Sequence, residues 1–201
     1  MSLLWTRLRN RAFNNPSALL VSCMIASDSV FHIGDKVVYP NHGVGIIEQI
    51  SSQTIGLTVE RFYLLKIKAS SLKVMIPCHN VGNVGLRKVV RNVEVKEILD
   101  YLMASAVAAS TDWKDRFKEN SERMRTGSLL DVAAVLKGLV VLSQQKSLSF
   151  REKKMLERSR YLLVSELAMS RNCEEPQIED LLSDALAKAK LPFPSAEVFE
   201  A

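Results

Sequence analysis

Cysteine is scarce in this 201-residue chain, and the three present, Cys23, Cys78 and Cys173, share no C-x-x-C spacing. An odd, scattered set argues against a disulfide framework and a structural zinc site, and so for a reducing compartment. Long apolar runs are missing as well. No stretch reaches the roughly 18 residues of a membrane helix. With 47% hydrophobic and 24% charged residues, 8 Gly and 6 Pro, the composition excludes a collagen-like or coiled-coil rod and a largely disordered chain. Enzyme signatures are absent too. There is no Gly-x-Ser-x-Gly elbow, and Gly43-Val44-Gly45 lacks a third glycine and runs into Ile46-Ile47 where a phosphate loop needs a helix N-terminus. His32, His42 and His79 match no metal-ligand spacing, and the paired carboxylates Glu174-Glu175 and Glu179-Asp180 sit at helix starts. No catalytic residue, metal, cofactor or small-molecule substrate is therefore expected.

What is present is uneven charge. The net charge of +5 divides into +3 over residues 1–27, +4 over 28–92, +3 over 93–173 and −5 over 174–201, so an acidic tail masks a basic body suited to a polyanionic partner. Residues 1–28 read as a disordered arm or as residues ahead of a true start at Met24. Leu20-Val21-Ser22-Cys23 also fits a lipoprotein cleavage site, which would make the chain a lipid-anchored envelope protein.

From Phe31 to about residue 91 the chain reads as short strands. Lys36–Tyr39 ends at Pro40, Gly43 and Gly45 flank a bend, and Arg61–Ile67 and Leu72–Pro77 are joined by Ala69-Ser70-Ser71, with Pro77 closing the last strand or marking an edge. Such spacing predicts a small curled sheet of the SH3-like or Tudor-like kind, a binding scaffold. After Asn92 the apolar period becomes 3.6. It predicts helices over 94–108, from Trp113 behind an Asp112 cap to about Arg125 before Gly127, from Ser128-x-x-Asp131, from Ser149-x-x-Glu152, and from Pro176, with residues 190–201 a tail. The fold class is α+β, a β module over 31–91 and then an all-α bundle over 94–189.

One cluster carries chemistry. Trp113-Lys114-Asp115-Arg116-Phe117-Lys118 places an aromatic at a helix start among three cations. A side chain at the first helical position projects back beyond the helix end, so Trp113 is placed to stack on a base or wedge a base step while Lys114, Arg116 and Lys118 hold phosphates. On the Ser149 helix Arg151, Lys154 and Arg158 share a face with Lys153 adjacent, which extends the phosphate-binding surface.

Phe31-x-Ile33-Gly34-Asp35-x-Val37-Val38-Tyr39-Pro40-x-His42-Gly43-Val44-Gly45, with Leu72-x-Val74-x-Ile76-Pro77 and Val84-Gly85-Leu86-Arg87, resembles the RNA-polymerase-interacting domain of the CarD/CdnL bacterial transcription regulators. Trp113-x-x-Arg116-Phe117-Lys118, Glu152-Lys153-x-Met155-Leu156 and Leu163-Val164-x-Glu166-Leu167-Ala168 resemble that family's C-terminal domain. The resemblance spans residues 31–187 and implies a non-enzymatic, cytoplasmic, nucleoid-associated monomer. In it the Tudor-like domain docks on the RNA polymerase β subunit through Ser52, Gln53, Ile55, Met75 and Pro77. The helical domain contacts promoter DNA at the upstream bubble edge through Trp113, Lys114, Arg116, Lys118, Lys153 and Lys154, which stabilises the open complex. Gln53 and Met75 stand where some relatives carry arginine. The alternative from composition alone is a non-specific architectural DNA-binding protein.

Overall fold

The computed structural model describes residues 31–70, 72–105 and 113–194, the side chains of residues 113 and 114 excepted. The arm over 1–28, the Asp112 cap and the end of the tail lie outside the described residues. Phe31 onward forms one compact unit, an antiparallel sheet followed by helices, which is the α+β architecture that the change of period predicts.

The sheet contains β1 (Lys36–Tyr39), β2 (Gly43–Ile55), β3 (Thr58–Ile67), β4 (Lys73–Pro77) and β5 (Arg87–Lys88), in the order β4-β3-β2-β1-β5. β4 is thus an edge strand ending on Pro77, where a missing N–H costs no ladder bond. The expected bend between Gly43 and Gly45 falls earlier. Chain reversal occurs at Pro40-Asn41-His42, with Asn41 in the left-handed region (φ 61°) and the His42 N–H donating to the Tyr39 carbonyl at 2.9 Å. Gly43 and Gly45 then lie inside β2. A side chain at Gly45 would meet Leu65 Cδ1 and the Lys66 carbonyl oxygen at 2.7 Å, closer than any real Cβ contact. Gly43, at φ 92°, lets Tyr161 and Leu162 of the helical half approach the strand.

β2 and β3 are also longer than their apolar runs, forming an arm that projects past the core. Ser51-Ser52-Gln53-Thr54 is polar on both faces because nothing packs beneath it, so the alternation that marks a half-buried strand is absent there. Under the sheet Val37, Ile47, Tyr63, Leu65, Ile67 and Ile76 form a closed core. The buried Tyr63 hydroxyl accepts the Phe31 N–H at 3.3 Å, and the two rings meet edge to face at 5.8 Å.

A 3₁₀ turn (Cys78–Asn80) leads to α1 (Val81–Val84), followed beyond β5 by α2 (Asn92–Met103), α3 (Trp113–Arg125), α4 (Leu129–Gln145), α5 (Phe150–Arg171) and α6 (Glu175–Lys188). The starts of α4, α5 and α6 follow their capping chemistry. Ser128 accepts the Asp131 N–H, Ser149 and Glu152 form a reciprocal capping box, and Pro176 sits in the first turn of α6. α2 stops at Met103, short of the predicted 108. There the Lys137 ammonium donates to the carbonyls of Tyr101 (2.7 Å) and Ala104 (2.6 Å), supplying partners to the last turn. Burial holds the Lys137 pKa below its ordinary value. α4 is the bundle's centre, its Val132, Leu136, Leu139 and Val140 packed with Leu163 and Leu167 of α5 in the second core.

One polar junction locks the sheet to the bundle. Arg87 on β5 donates through Nη1 (2.5 Å) and Nη2 (2.9 Å) to the two oxygens of Glu166 on α5, and through Nε (2.5 Å) to the Gly127 carbonyl. The Val90 N–H donates to Glu166 Oε1 at 3.1 Å, and Ser170 Oγ donates to the Val90 carbonyl at 2.6 Å. Only 3% of the Glu166 side chain is accessible to water. A fork of two parallel bonds fixes direction as well as distance, so this pair restrains how the two halves meet, together with Lys36, which reaches the Met169 carbonyl at 3.4 Å.

Candidate nucleic-acid interface and docking face

Helical geometry divides the cations of α3. Positions 116, 120 and 124 fall on one stripe and positions 114, 118, 121 and 125 on another. The first faces the bundle. Arg116 is 7% exposed and its Nη2 donates to Glu152 Oε1 at 3.3 Å, so it does not stand on the surface beside Lys118 as the sequence suggests. Its stripe carries Met124, which is buried, and a residue on that stripe follows it inward. Arg116 therefore ties α3 to α5 from within the bundle. Lys118 is exposed on the outer stripe. Trp113 opens α3, and its side chain and that of Lys114 lie outside the described residues.

Glu152 holds the other end of this tie. Its Oε2 accepts the Ser149 N–H (2.9 Å) and hydroxyl (2.7 Å), leaving Oε1 for Arg116. Burial raises the carboxyl pKa, but the Ser149 bonds and the Arg116 guanidinium outweigh it and hold the group below its ordinary value. The pairing brings the first turns of α3 and α5 to the same end of the bundle.

Beside that pair the two helices enclose an open groove of about 680 Å³. Phe117 and Met124 of α3 and Met155 of α5 make its apolar floor, and Arg125, Arg151, Lys154 and Arg158 make its rim. The structure thus gathers the Arg151, Lys154 and Arg158 face predicted from α5 and adds Arg125 from across the groove. Lys154 also pairs with Glu157 at 3.1 Å. Lys153, one residue and about 100° away on the helix, lines a different pocket with Leu156 and Phe193. Phe150 was not among the sequence candidates, yet it is 75% exposed at the groove mouth. Its signal is the one that marks Trp113, an aromatic at the first helical position behind a capping residue.

The predicted docking residues fall on the β2–β3 arm and on the edge strand β4. Directly paired residues share a face, and the register pairs Gln53 with Glu60, Ile55 with Thr58, Phe62 with Pro77 and Leu64 with Met75. Gln53, Ile55, Met75 and Pro77 therefore lie together on the face opposite the Tyr63 core. Ser52 pairs with Arg61 and points the other way. Ile55 (52% exposed) and Met75 (45%) supply an apolar surface on the Gln53 face; Leu57 in the turn of the arm and Val59, which pairs with Thr54 on the Ser52 face, are also exposed, and the sequence reading passed over both. Among the described residues β4 pairs on one side only, so its outer edge offers backbone groups to a further strand.

Among the described residues no group of three or more His, Cys, Asp or Glu side chains could hold a metal ion, and no helix is long and apolar enough to cross a membrane. Residues 31–90 match the CarD-like/TRCF RID domain, and residues 97–183 match the CarD, C-terminal domain. A protein of Bacillus subtilis (strain 168) named "Putative transcription factor YdeB" is 32% identical over 150 residues, covering 75% of this chain and 98% of the relative.

Proposed function

The chain belongs to the CarD family of transcription regulators, and on that premise we propose that its sheet docks on the RNA polymerase β subunit while its helical half contacts promoter DNA at the upstream edge of the bubble. The family is of the transcription-factor type and not an enzyme type. The observation that carries the DNA half is the rim beside α3: Arg125, Arg151 and Arg158 have no carboxylate partner among the described residues, on the flank of the helix that Trp113 opens. Cations placed beside an aromatic at a helix start suit a wedge held by phosphates. Lys114, Lys118 and Lys154 belong to that phosphate contact, and Lys153 extends it around α5. Arg116 serves by fixing α3 against α5.

The docking half is supported by the open edge of β4 and the apolar face of Gln53, Ile55, Met75 and Pro77. An edge strand recruits a partner strand through main-chain bonds, and flanking side chains supply selectivity. Ser52 contributes from the arm's other face. Holding the wedge to polymerase makes it act only where DNA opens. A group that binds opened DNA better than duplex shifts the balance toward the open complex by that difference in affinity. Trp113→Ala is expected to shorten the open-complex lifetime about tenfold, a loss of roughly 1.4 kcal/mol, while co-purification with core polymerase and with a β-subunit fragment is retained. Equal lifetimes for variant and wild type would refute Trp113 as the wedge.

A further inference from the structure

Two features of the α3–α5 groove go unexplained by folding. The Phe150 ring stands 75% exposed at the first position of α5, although its near neighbour Leu148 is buried. Arg125, Arg151 and Arg158 converge on the same groove with no carboxylate partner among the described residues, whereas Lys154 between them is paired with Glu157. Like charges gathered this way repel one another until an anion arrives. The Arg158 guanidinium lies 5.4 Å from the centre of the Tyr161 ring, an attraction that steadies a cation without neutralising it.

The occupant these features fit carries several negative charges and at least one flat, weakly hydrated face. Arg151 and Arg158 are two helical turns apart, about 10 Å along the axis. That separation lets the two guanidinium groups take different phosphates of one strand. Guanidinium forks suit phosphate oxygens, and a phenyl ring suits a base face. In a duplex the base faces are hidden by stacking and reaching one costs a few kcal/mol of unstacking, so Phe150 favours an unpaired base. An acidic peptide would answer the charges and leave the ring without a partner.

We propose that the α3–α5 groove binds an unpaired DNA strand, with a base stacked on Phe150 and the flanking phosphates on Arg125, Arg151 and Arg158. The proposal rests on the reading of the helical half as DNA-binding, and adds a second aromatic contact separate from Trp113, directed to a melted strand. The strand enters over the apolar floor of Phe117, Met124 and Met155, where a base edge is sheltered from water.

The test uses the full chain in about 50 mM salt, where phosphate contacts are strong, with a fluorescein-labelled oligothymidylate and a duplex of equal length read by anisotropy. Wild type is expected to favour the single strand. Phe150→Ala should weaken single-strand binding about tenfold and change duplex binding less than about twofold. The R151A/R158A double variant should reduce the salt slope for the single strand by about 1.4, two contacts at roughly 0.7 each. Phe150 is exposed, so an unchanged thermal midpoint is expected to show that its replacement leaves the fold intact. Equal losses on both DNAs, no loss on either, or equal competition by poly-glutamate would overturn the proposal, the last assigning the groove to an acidic peptide. If Trp113→Ala still shortens the open complex in that event, the groove proposal falls alone. If wild type binds neither DNA and Trp113→Ala leaves the lifetime unchanged, the DNA-binding reading falls with it.

Discussion

Replacing Arg87 by alanine removes the only cation that reaches Glu166 among the described ion pairs, and the cost can be worked from the geometry. Glu166 accepts three hydrogen bonds, two from the Arg87 fork and one from the Val90 N–H, with 3% of its side chain accessible. Without the fork, a buried carboxylate keeps one donor. Breaking a buried ion pair from one side costs about 3–5 kcal/mol. The Arg87 side chain is 29% exposed, so water can enter the vacated space, and the lower end applies. Losing the bond to the Gly127 carbonyl adds less, because that oxygen too can be hydrated. A loss of about 3 kcal/mol is a large share of a typical stability of about 5–15 kcal/mol. With a urea dependence near 2 kcal/mol per molar, the unfolding midpoint should fall by about 1.5 M. Pairing Arg87→Ala with Glu166→Gln in a double-mutant cycle should return a coupling energy of at least about 1 kcal/mol, since the second change relieves the stranded charge. A midpoint shift below about 0.5 M, or a coupling near zero, would refute the claim that this pair locks the sheet to the bundle.

Glu152 should make the α3–α5 tie sensitive to acid. Its folded-state pKa lies below its unfolded value, so its stabilisation is complete above the unfolded pKa and is lost as pH falls through the folded one. Glu152→Gln should therefore cost about 1–2 kcal/mol at pH 7, and its deficit against wild type should close in urea titrations repeated at successively lower pH below the ordinary carboxylate range; a deficit that does not change with pH would rule out the charge as its source. Gly45→Ala should destabilise by about 1–3 kcal/mol, because its Cβ meets the backbone of Lys66 at 2.7 Å and backbone cannot move aside as a side-chain tip can. Unfolding by urea reads this directly, and a neutral result would mean that β2 and β3 separate more readily than their register implies.

Local rules account for most of what could be read in advance. Where one residue type answers a local need, the element followed: Ser128 and Ser149 at N-caps, Pro176 in a first turn, and the apolar stripe Val95-Ile98-Leu102 beneath α2. The cation face of α5 was legible for the same reason, since 3.6 residues per turn fixes which positions share a side. The rest depended on neighbours distant in sequence. Nothing local in Trp113–Lys118 says that Arg116 turns inward, because that depends on Glu152 arriving from α5 with one oxygen still open. The β2–β3 arm escaped detection because it has no core to impose alternation.

The sequence by itself determined the order of sheet then helices, the caps, and the family, since each rests on residue types at fixed short spacing. Tertiary structure alone decided which cations reach the surface, which apolar side chains stay exposed, and how the sheet is held to the bundle. Those outcomes are differences between burying a group with a partner and leaving it in water. Partners such as Arg87 and Glu166, 79 residues apart, exist only once the chain has folded.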